Sequence, residues 1–166
     1  MKVLILGAGQ VGASVAAALT SENSDITVVD LDQNKLRDLS ERLDLRTIVG
    51  HASLPSVLSH AGADDADLII AVTSSDEVNL VACQIADAVF KTPTKIARLR
   101  ETEYLEHPEL TQRGRSSIDV AISPEALVCT HVQRLIEYPG ALQVLDFADG
   151  RAQLVAVRAI PGGAMI

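Results

Sequence analysis

The chain has 166 residues, of which 48% are hydrophobic and only 2% aromatic, and its formal net charge is −8. This length suits one domain or slightly more, and an aliphatic composition is typical of a sheet covered by helices on both faces. The acidic balance argues against nucleic acid and anionic lipid as partners, because both reward clustered positive charge. Residues 1–6 read as a strand rather than a signal peptide, and no apolar run approaches the roughly 18 residues of a membrane span, so we expect a cytoplasmic protein without direct membrane insertion.

The first predicted strand, residues 1–6, is joined to a first predicted helix by a glycine-rich loop. The loop consists of Gly7, Ala8, Gly9, Gln10, Val11 and Gly12. In dinucleotide-binding folds the first glycine permits a tight turn, the second lets the pyrophosphate approach the backbone, and the third allows close helix–strand packing. The N–H groups at the start of the helix would then face an anion.

An acidic residue follows at the distance that such a fold uses. Residues 25–30 form a second predicted strand that ends at Asp30, eighteen positions after Gly12. A carboxylate there is placed to accept hydrogen bonds from the 2′-OH of a ribose. Loop and acid together predict a nucleotide site; the alternative is that both only cap elements of an α/β core.

Strand and helix patterns alternate further along the chain. Additional strands are predicted at residues 47–49, 67–72, 95–100 and 118–122. Helices are predicted at residues 32–43 and 54–61, and a third follows the cap residues 73–76 and runs to about Phe90. This alternation predicts an α/β fold, a Rossmann-like doubly wound parallel sheet of about six strands, with any ligand outside the carboxyl ends of the strands.

The sequence also predicts how these three helices are capped and which face of the third is buried. Asp32 is expected to cap the helix at residues 32–43, and Ser53 the helix at 54–61. Residues 73–76 offer several cap oxygens to the helix that follows. Its inner face is predicted from apolar spacing as Val78, Val81, Ile85 and Val89.

The last third of the chain has a different pattern. A helix begins at Pro124 and ends before Pro139-Gly140, and two strand-like runs, 142–147 and 153–160, flank a turn. A hairpin that is apolar on both faces needs a covering surface. We therefore expect residues 1–123 to form the nucleotide-binding domain, 124–141 a crossover or dimerisation helix, and 142–166 a hairpin leading into an absent C-terminal domain or forming a dimerisation arm.

Several segments resemble the TrkA-N family, the N-terminal nucleotide-binding (RCK or KTN) domains of regulatory subunits of bacterial Trk potassium uptake systems. The matching segments are residues 2–12, 28–30, 50–53, 71–79 and 95–100. The resemblance implies a non-enzymatic sensor that binds NAD(H), or in relatives ATP or ADP. It also implies a homo-oligomer, assembled as a ring in the full protein beneath a membrane potassium-transporting subunit on the cytoplasmic face of the inner membrane.

Four further residues are candidate ligand contacts. Thr73 and Ser74 follow the fourth strand, beside the switch point where nucleotides bind, and simple helix capping is their structural alternative. Arg98, at the end of the fifth strand, suits bidentate recognition of a phosphate, whereas pairing with a surface carboxylate is its structural alternative. His51 lies where family members often have Asp or Asn, and it is more readily a cap or surface residue than a ligand contact.

Two other classes of function remain alternatives: an NAD-dependent oxidoreductase and a dimerisation module with a vestigial site. A dehydrogenase needs a substrate pocket and an acid or base beside the nicotinamide. The sequence has no Tyr-x-x-x-Lys pair and no evident His–Asp pairing, so we predict no catalytic residue. The histidines and the two cysteines, Cys83 and Cys129, show no metal-ligand spacing, so no metal is expected and both thiols are interpreted as core residues.

Overall fold

A computed structural model describes residues 1–20, 22, 24–111, 116–147 and 151–158. The chain divides into two compact units, Met1–Ser123 and Pro124–Ile166.

The first unit is built on a six-stranded parallel sheet in the order β3-β2-β1-β4-β5-β6. Its strands are β1 (Lys2–Leu6), β2 (Asp25–Asp30), β3 (Arg46–Val49), β4 (Leu68–Ala71), β5 (Thr94–Arg98) and β6 (Val120–Ile122). The order reverses between β1 and β4, which is where ligands bind in open α/β sheets. The predicted Rossmann-like doubly wound sheet is confirmed.

Helices connect these strands. They are α1 (Gln10–Thr20), α2 (Gln33–Ser40), α3 (Pro55–His60), α4 (Asp76–Ile85), α5 (Thr102–Leu105) and α6 (Pro108–Thr111). A 3-10 turn at Ala63–Asp65 follows α3, and a π-helical turn at Ala86–Phe90 continues α4. The sequence did not predict α5 and α6, because four residues are too few to show a helical period.

The core lies on both faces of the sheet. Successive side chains of a strand point to opposite faces, so Leu4 and Leu6 of β1 enter one buried cluster while Val3 and Ile5 enter the other. All four are at most 2% exposed. Burial on both faces explains why the strands are continuous apolar runs rather than alternating ones.

The predicted inner face of α4 is right for Val78 and Ile85, which are half-buried against the core, and wrong for Val81 and Val89. Val81 is 40% exposed and Val89 is 59% exposed. The side chains that pack beneath the helix lie on a neighbouring stripe: Asn79, Ala82, Cys83 and Ala86. Small side chains let the helix approach the sheet closely, and a polar residue within this stripe finds partners at the strand ends.

The helix caps agree with the sequence prediction only in part. Asp32 caps α2, because its Oδ1 accepts the N–H of Asn34 at 2.9 Å. Ser53 does not cap α3: that helix starts after Leu54 without a side-chain cap, and Ser53 Oγ lies 2.8 Å from Nδ1 of His51. Pro55 at the first helical position lacks an N–H, so one of the donors a cap would satisfy is absent.

The second unit comprises a helix and an antiparallel hairpin, as the sequence predicted. The helix α7 (Pro124–Glu137) precedes β7 (Ala141–Phe147) and β8 (Ala152–Val157). The predicted turn at 148–150, and residues 159–166 with Pro161-Gly162-Gly163, lie outside the described residues. Many large apolar side chains are exposed here, among them Leu127, Val128, Ile136, Leu142, Phe147 and Leu154. Among the described helices, none is long and apolar enough to cross a membrane.

Candidate nucleotide site

The glycine loop joins β1 to α1 and packs tightly at two of its positions. Gly7 has φ +109°, and a Cβ there would lie 2.9 Å from the carbonyl oxygen of Val72. A Cβ on Gly12 would lie 1.9 Å from the carbonyl oxygen of Gly7. Both positions therefore exclude a side chain, the first through its backbone conformation as well.

Gly9 differs from these two glycines, because a Cβ added there would meet nothing within 4 Å. Its carbonyl accepts the N–H of Ala13 at 2.9 Å, so α1 starts directly after it. The first N–H groups of a helix have no intrahelical acceptor. The backbone of Gly9, Gln10 and Val11 thus combines open space with the positive end of a helix dipole, an arrangement that suits an anion.

Asp30 lies at the end of β2 and contacts this loop directly. Its Oδ2 accepts the N–H of Ala8 at 2.6 Å, and its Oδ1 accepts the N–H of Asp32 at 2.8 Å. The structure therefore brings together the loop and the acid that the sequence paired. An ionised carboxylate accepts about four hydrogen bonds, so Asp30 retains acceptor capacity for a ribose hydroxyl.

Thr73 and Ser74 lie beside the loop, at the end of β4. The Thr73 N–H donates to Oδ1 of Asn79 at 2.9 Å, and its hydroxyl donates to the same oxygen at 2.7 Å. Ser75 supplies the cap of α4, since its Oγ accepts the N–H of Val78 at 3.3 Å. Ser74 is exposed, and its carbonyl accepts a hydrogen bond from the Arg100 guanidinium. Thr73 thus has a structural role of its own.

Arg98 ends β5, and one nitrogen of its side chain, Nε, is unsatisfied. Its Nε is buried and has no hydrogen-bond partner, and the structure forms no ion pair with it among the described residues. Leaving a buried charged donor unsatisfied costs free energy, so such a group needs an acceptor from elsewhere. The sequence analysis left open that Arg98 pairs with a surface carboxylate. Among the described residues no such ion pair forms.

His51 follows β3, next to Asp30. The neighbouring Gly50 donates its N–H to the Asp30 carbonyl at 3.0 Å, while the His51 ring is engaged by Ser53. The ring therefore contacts Ser53 within a local turn. All the predicted site residues lie along the carboxyl edge of β3, β2, β1, β4 and β5.

The sequence missed Asp76 and Asn79, two buried polar residues in the first turns of α4. Asp76 is 5% exposed, and its Oδ2 accepts the N–H groups of Arg100 at 2.7 Å and Glu101 at 2.9 Å. Asn79 is fully buried. Asp76 and Asn79 are three residues apart and so lie on one face of the helix, which was a signal available in the sequence. The sequence analysis gave more weight to the spacing of the apolar residues.

A hydrogen bond at the start of α4 also changes the acidity of its first turn. The Ser75 hydroxyl donates to Glu77 Oε2 at 2.5 Å. This bond stabilises the ionised form and lowers the pKa of the Glu77 carboxyl. A negative charge in the first turn is also favourable to the helix dipole.

A pocket of about 620 Å³ lies at the opposite edge of the sheet, where the strands begin. Its lining includes Lys2, Asp25 and Arg46, the first residues of β1, β2 and β3, and Asp65 of the 3-10 turn. Lys2 pairs with Asp65, which raises the pKa of the lysine, and an Arg46 Nη2 donates to the His60 carbonyl at 2.8 Å. It contains none of the predicted site residues.

Residues 3–124 match the family model of the TrkA-N domain. The chain belongs to the TrkA-N domain family. Over its full length the chain is 56% identical to "Trk system potassium uptake protein TrkA" of Halomonas elongata and 53% identical to the protein of the same name from Haemophilus influenzae. It spans 36% of the length of each.

Solved structures share the fold of this TrkA-N domain. One is the TrkA-N domain of inner membrane protein ybaL from Escherichia coli, with a TM-score of 0.70 and 20% identity, covering 81% of this chain and 96% of that one. Another is the GsuK channel bound to NAD, with a TM-score of 0.70 and 20% identity over 89% of this chain and 25% of the other. A third, GsuK bound to ADP, has a TM-score of 0.66 and 22% identity over 82% of this chain and 34% of that one.

Proposed function

We propose that this TrkA-N domain binds NAD(H) at the carboxyl edge of its sheet and acts as a non-catalytic regulatory domain of a bacterial potassium uptake system. The names of its relatives support the transport role, and the GsuK structures with NAD and with ADP support a nucleotide ligand, ADP or ATP being the second candidate. Its location would be cytoplasmic, held to the membrane through a potassium-transporting subunit.

The observation that carries the proposal is the open backbone over Gly9 beside Asp30. A pyrophosphate above Gly9 would meet the N–H groups that open α1, while the ribose would reach the carboxylate fixed by Ala8 and Asp32. Across the switch point, the partly exposed Arg98 would offer a charged donor to the phosphates. One ligand of dinucleotide type would use all three features.

The absence of catalysis in the proposal rests on the chemistry of these residues. Hydride transfer needs an acid or base held beside the nicotinamide. Among the predicted site residues the only imidazole is that of His51, and its Nδ1 lies 2.8 Å from Ser53 Oγ in a local turn. The arrangement therefore suits binding rather than turnover.

A sensor must bind its ligand more tightly in one arrangement of the assembly than in another, because equal affinity shifts no equilibrium. In this proposal α7 and the β7–β8 hairpin transmit the change to neighbouring subunits and to the membrane protein. Solution scattering of the whole assembly with and without nucleotide tests it. An unchanged scattering profile would argue against transmission by this route.

Calorimetric titration of the chain with NAD, NADH, NADP, ATP and ADP tests the ligand. We expect saturable binding of NAD and NADH with one site per chain, and no oxidation or reduction of either when the mixture is followed by absorbance at the NADH band. Tighter binding of ATP or ADP would favour the second candidate ligand. No binding of any of the five would refute the proposal.

A further inference from the structure

We propose that Asn79 is the positioning residue of this site: its side chain, which does not touch the ligand, holds Thr73 and Arg98 in the relative placement that one nucleotide requires. The inference rests on the proposed function, because it concerns the same site. It assigns a role to a residue of α4 that carries no ligand-binding pattern in the sequence.

The hydrogen bonds of Asn79 join two different strand ends. Its Oδ1 accepts the N–H and the hydroxyl of Thr73, at 2.9 Å and 2.7 Å, where β4 ends. Its Nδ2 donates to the carbonyl of Arg98 at 2.9 Å, where β5 ends. One buried amide thus binds both residues through their main chains.

The burial of Asn79 indicates that its side chain does more than fill the core. Asn79 is 0% exposed, and its helix neighbours on the same stripe are Ala82 and Cys83. Burying an amide is costly unless its hydrogen bonds are made, so an apolar side chain would suit packing alone equally well. What an apolar side chain cannot do is fix two strand ends to one point.

The state of Arg98 makes its backbone placement important. Its Nε is buried without a partner, so among the described residues no acceptor orients that nitrogen. The direction of the guanidinium then depends on where the main chain of Arg98 is held, and Asn79 holds its carbonyl. Asp76, one turn earlier, anchors the next segment by accepting the N–H groups of Arg100 and Glu101.

The test compares two substitutions in the full chain. Asn79→Leu keeps the size of the side chain and removes its hydrogen bonds; Cys83→Ala, on the same buried stripe, is the control because Cys83 contacts neither Thr73 nor Arg98 in the hydrogen bonds described. Asn79→Leu should weaken NADH binding at least about tenfold, the scale of a lost charge-assisted contact. Cys83→Ala should leave the affinity within about twofold, whatever it does to thermal stability.

A double-mutant cycle with Arg98→Ala separates positioning from general destabilisation. If Asn79 acts through Arg98, Asn79→Leu should cost much less affinity in the Arg98→Ala background than in the native one, because coupled residues are not additive. Equal losses in both backgrounds, or native affinity in Asn79→Leu, would overturn the inference. Failure of the native chain to bind any nucleotide would instead refute the proposed function itself.

A measurement on the native chain covers the case in which Asn79→Leu does not fold. The Nδ2 protons of Asn79 should give a resolved, slowly exchanging pair of resonances. Saturation with NADH should shift them and slow their exchange further, because the ligand holds both strand ends that they connect. Unchanged resonances under saturating NADH would count against positioning.

Discussion

Asp30 combines a structural and a proposed binding role, and its neighbour Asp32 provides the means to separate them. Both are carboxylates, but Asp30 accepts the N–H of Ala8 in the glycine loop, whereas Asp32 caps α2. Removing either lowers the negative charge by one. Only the removal of Asp30 alters the loop.

Asp30→Ala should weaken NAD(H) binding by about 1–3 kcal/mol, through loss of a charge-assisted acceptor. Asp32→Ala should cost the fold about 1 kcal/mol, as for a lost helix cap, and leave nucleotide affinity unchanged.

The native chain should bind NAD more tightly than NADP, because a 2′-phosphate would meet the Asp30 carboxylate and Leu31 offers no compensating charge. Calorimetry measures all four affinities; equal binding of NAD and NADP would contradict the assignment.

Gly9 and Gly12 should respond differently to substitution. Gly9→Val has free space around the new Cβ, so the chain should fold with only a small loss of stability, while the side chain occupies the place proposed for the pyrophosphate and abolishes binding. Gly12→Ala would force a Cβ to 1.9 Å from the Gly7 carbonyl oxygen and should unfold or rearrange the loop. Thermal melts and titrations distinguish them. A folded Gly9→Val chain with native affinity would show that the loop is only structural.

At the scale of elements, α4 shows where sequence reasoning about helices fails. Apolar spacing marked Val78, Val81, Ile85 and Val89, yet the stripe through Asn79 and Cys83 is the buried one. Two adjacent stripes of one helix can both be compatible with an apolar period. The partners available at the ends of β4 and β5 determined which stripe faces the sheet.

Cysteine labelling tests this orientation of α4. Burial raises the pKa of the Cys83 thiol to about 12, whereas Cys129 on α7 is exposed, so the prediction of a core thiol is wrong for Cys129. At pH 8 an alkylating reagent should therefore modify one thiol per folded chain, and two after denaturation, because the thiolate is the reactive form. Mass spectrometry should place the label on Cys129. Rapid modification of Cys83 in the folded chain would mean that its stripe is not buried.

The raised pKa of Cys83 also predicts a pH dependence of stability. Above pH 9.0, the ordinary value, the unfolded chain releases the Cys83 proton while the folded chain retains it up to about pH 12. The unfolded state then binds fewer protons, so the free energy of unfolding should fall as pH rises through this window. In Cys83→Ala this decline should be shallower when urea unfolding is compared at pH 8 and pH 10.5. An identical decline in both proteins would assign it to other groups.

At the scale of the whole molecule, the exposed apolar surface of the second unit predicts self-association. Leu127 is 64% exposed, Ile136 is 72% exposed and Leu142 is 62% exposed. Exposed apolar patches of this kind mark interaction sites, and a two-fold homodimer is the simplest closed arrangement. We expect the 166-residue chain to sediment as at least a dimer.

Truncation after Ser123 should give a monomer that still binds nucleotide, since the glycine loop, Asp30 and Arg98 all precede the cut. Ile136→Glu in the full chain should also yield a monomer, while Gln133→Glu, which adds the same charge at an exposed but polar position of α7, should not. Analytical ultracentrifugation is the measurement. A monomeric full chain at high micromolar concentration would rule out the dimer and, with it, signalling through this unit.

The strand–helix alternation, the glycine loop and its pairing with Asp30 could be predicted from the sequence alone, because these depend on local periodicity and on fixed spacing along the chain. The parallel six-stranded sheet followed from the same pattern. Three features became clear only from the folded chain: which stripe of α4 is most deeply buried, the contact of Ser53 with His51 instead of a cap on α3, and the hydrogen bonds by which Asn79 joins Thr73 to Arg98. Each of these depends on hydrogen-bond partners whose identity and direction are set by packing, and that packing joins segments distant from one another in the chain.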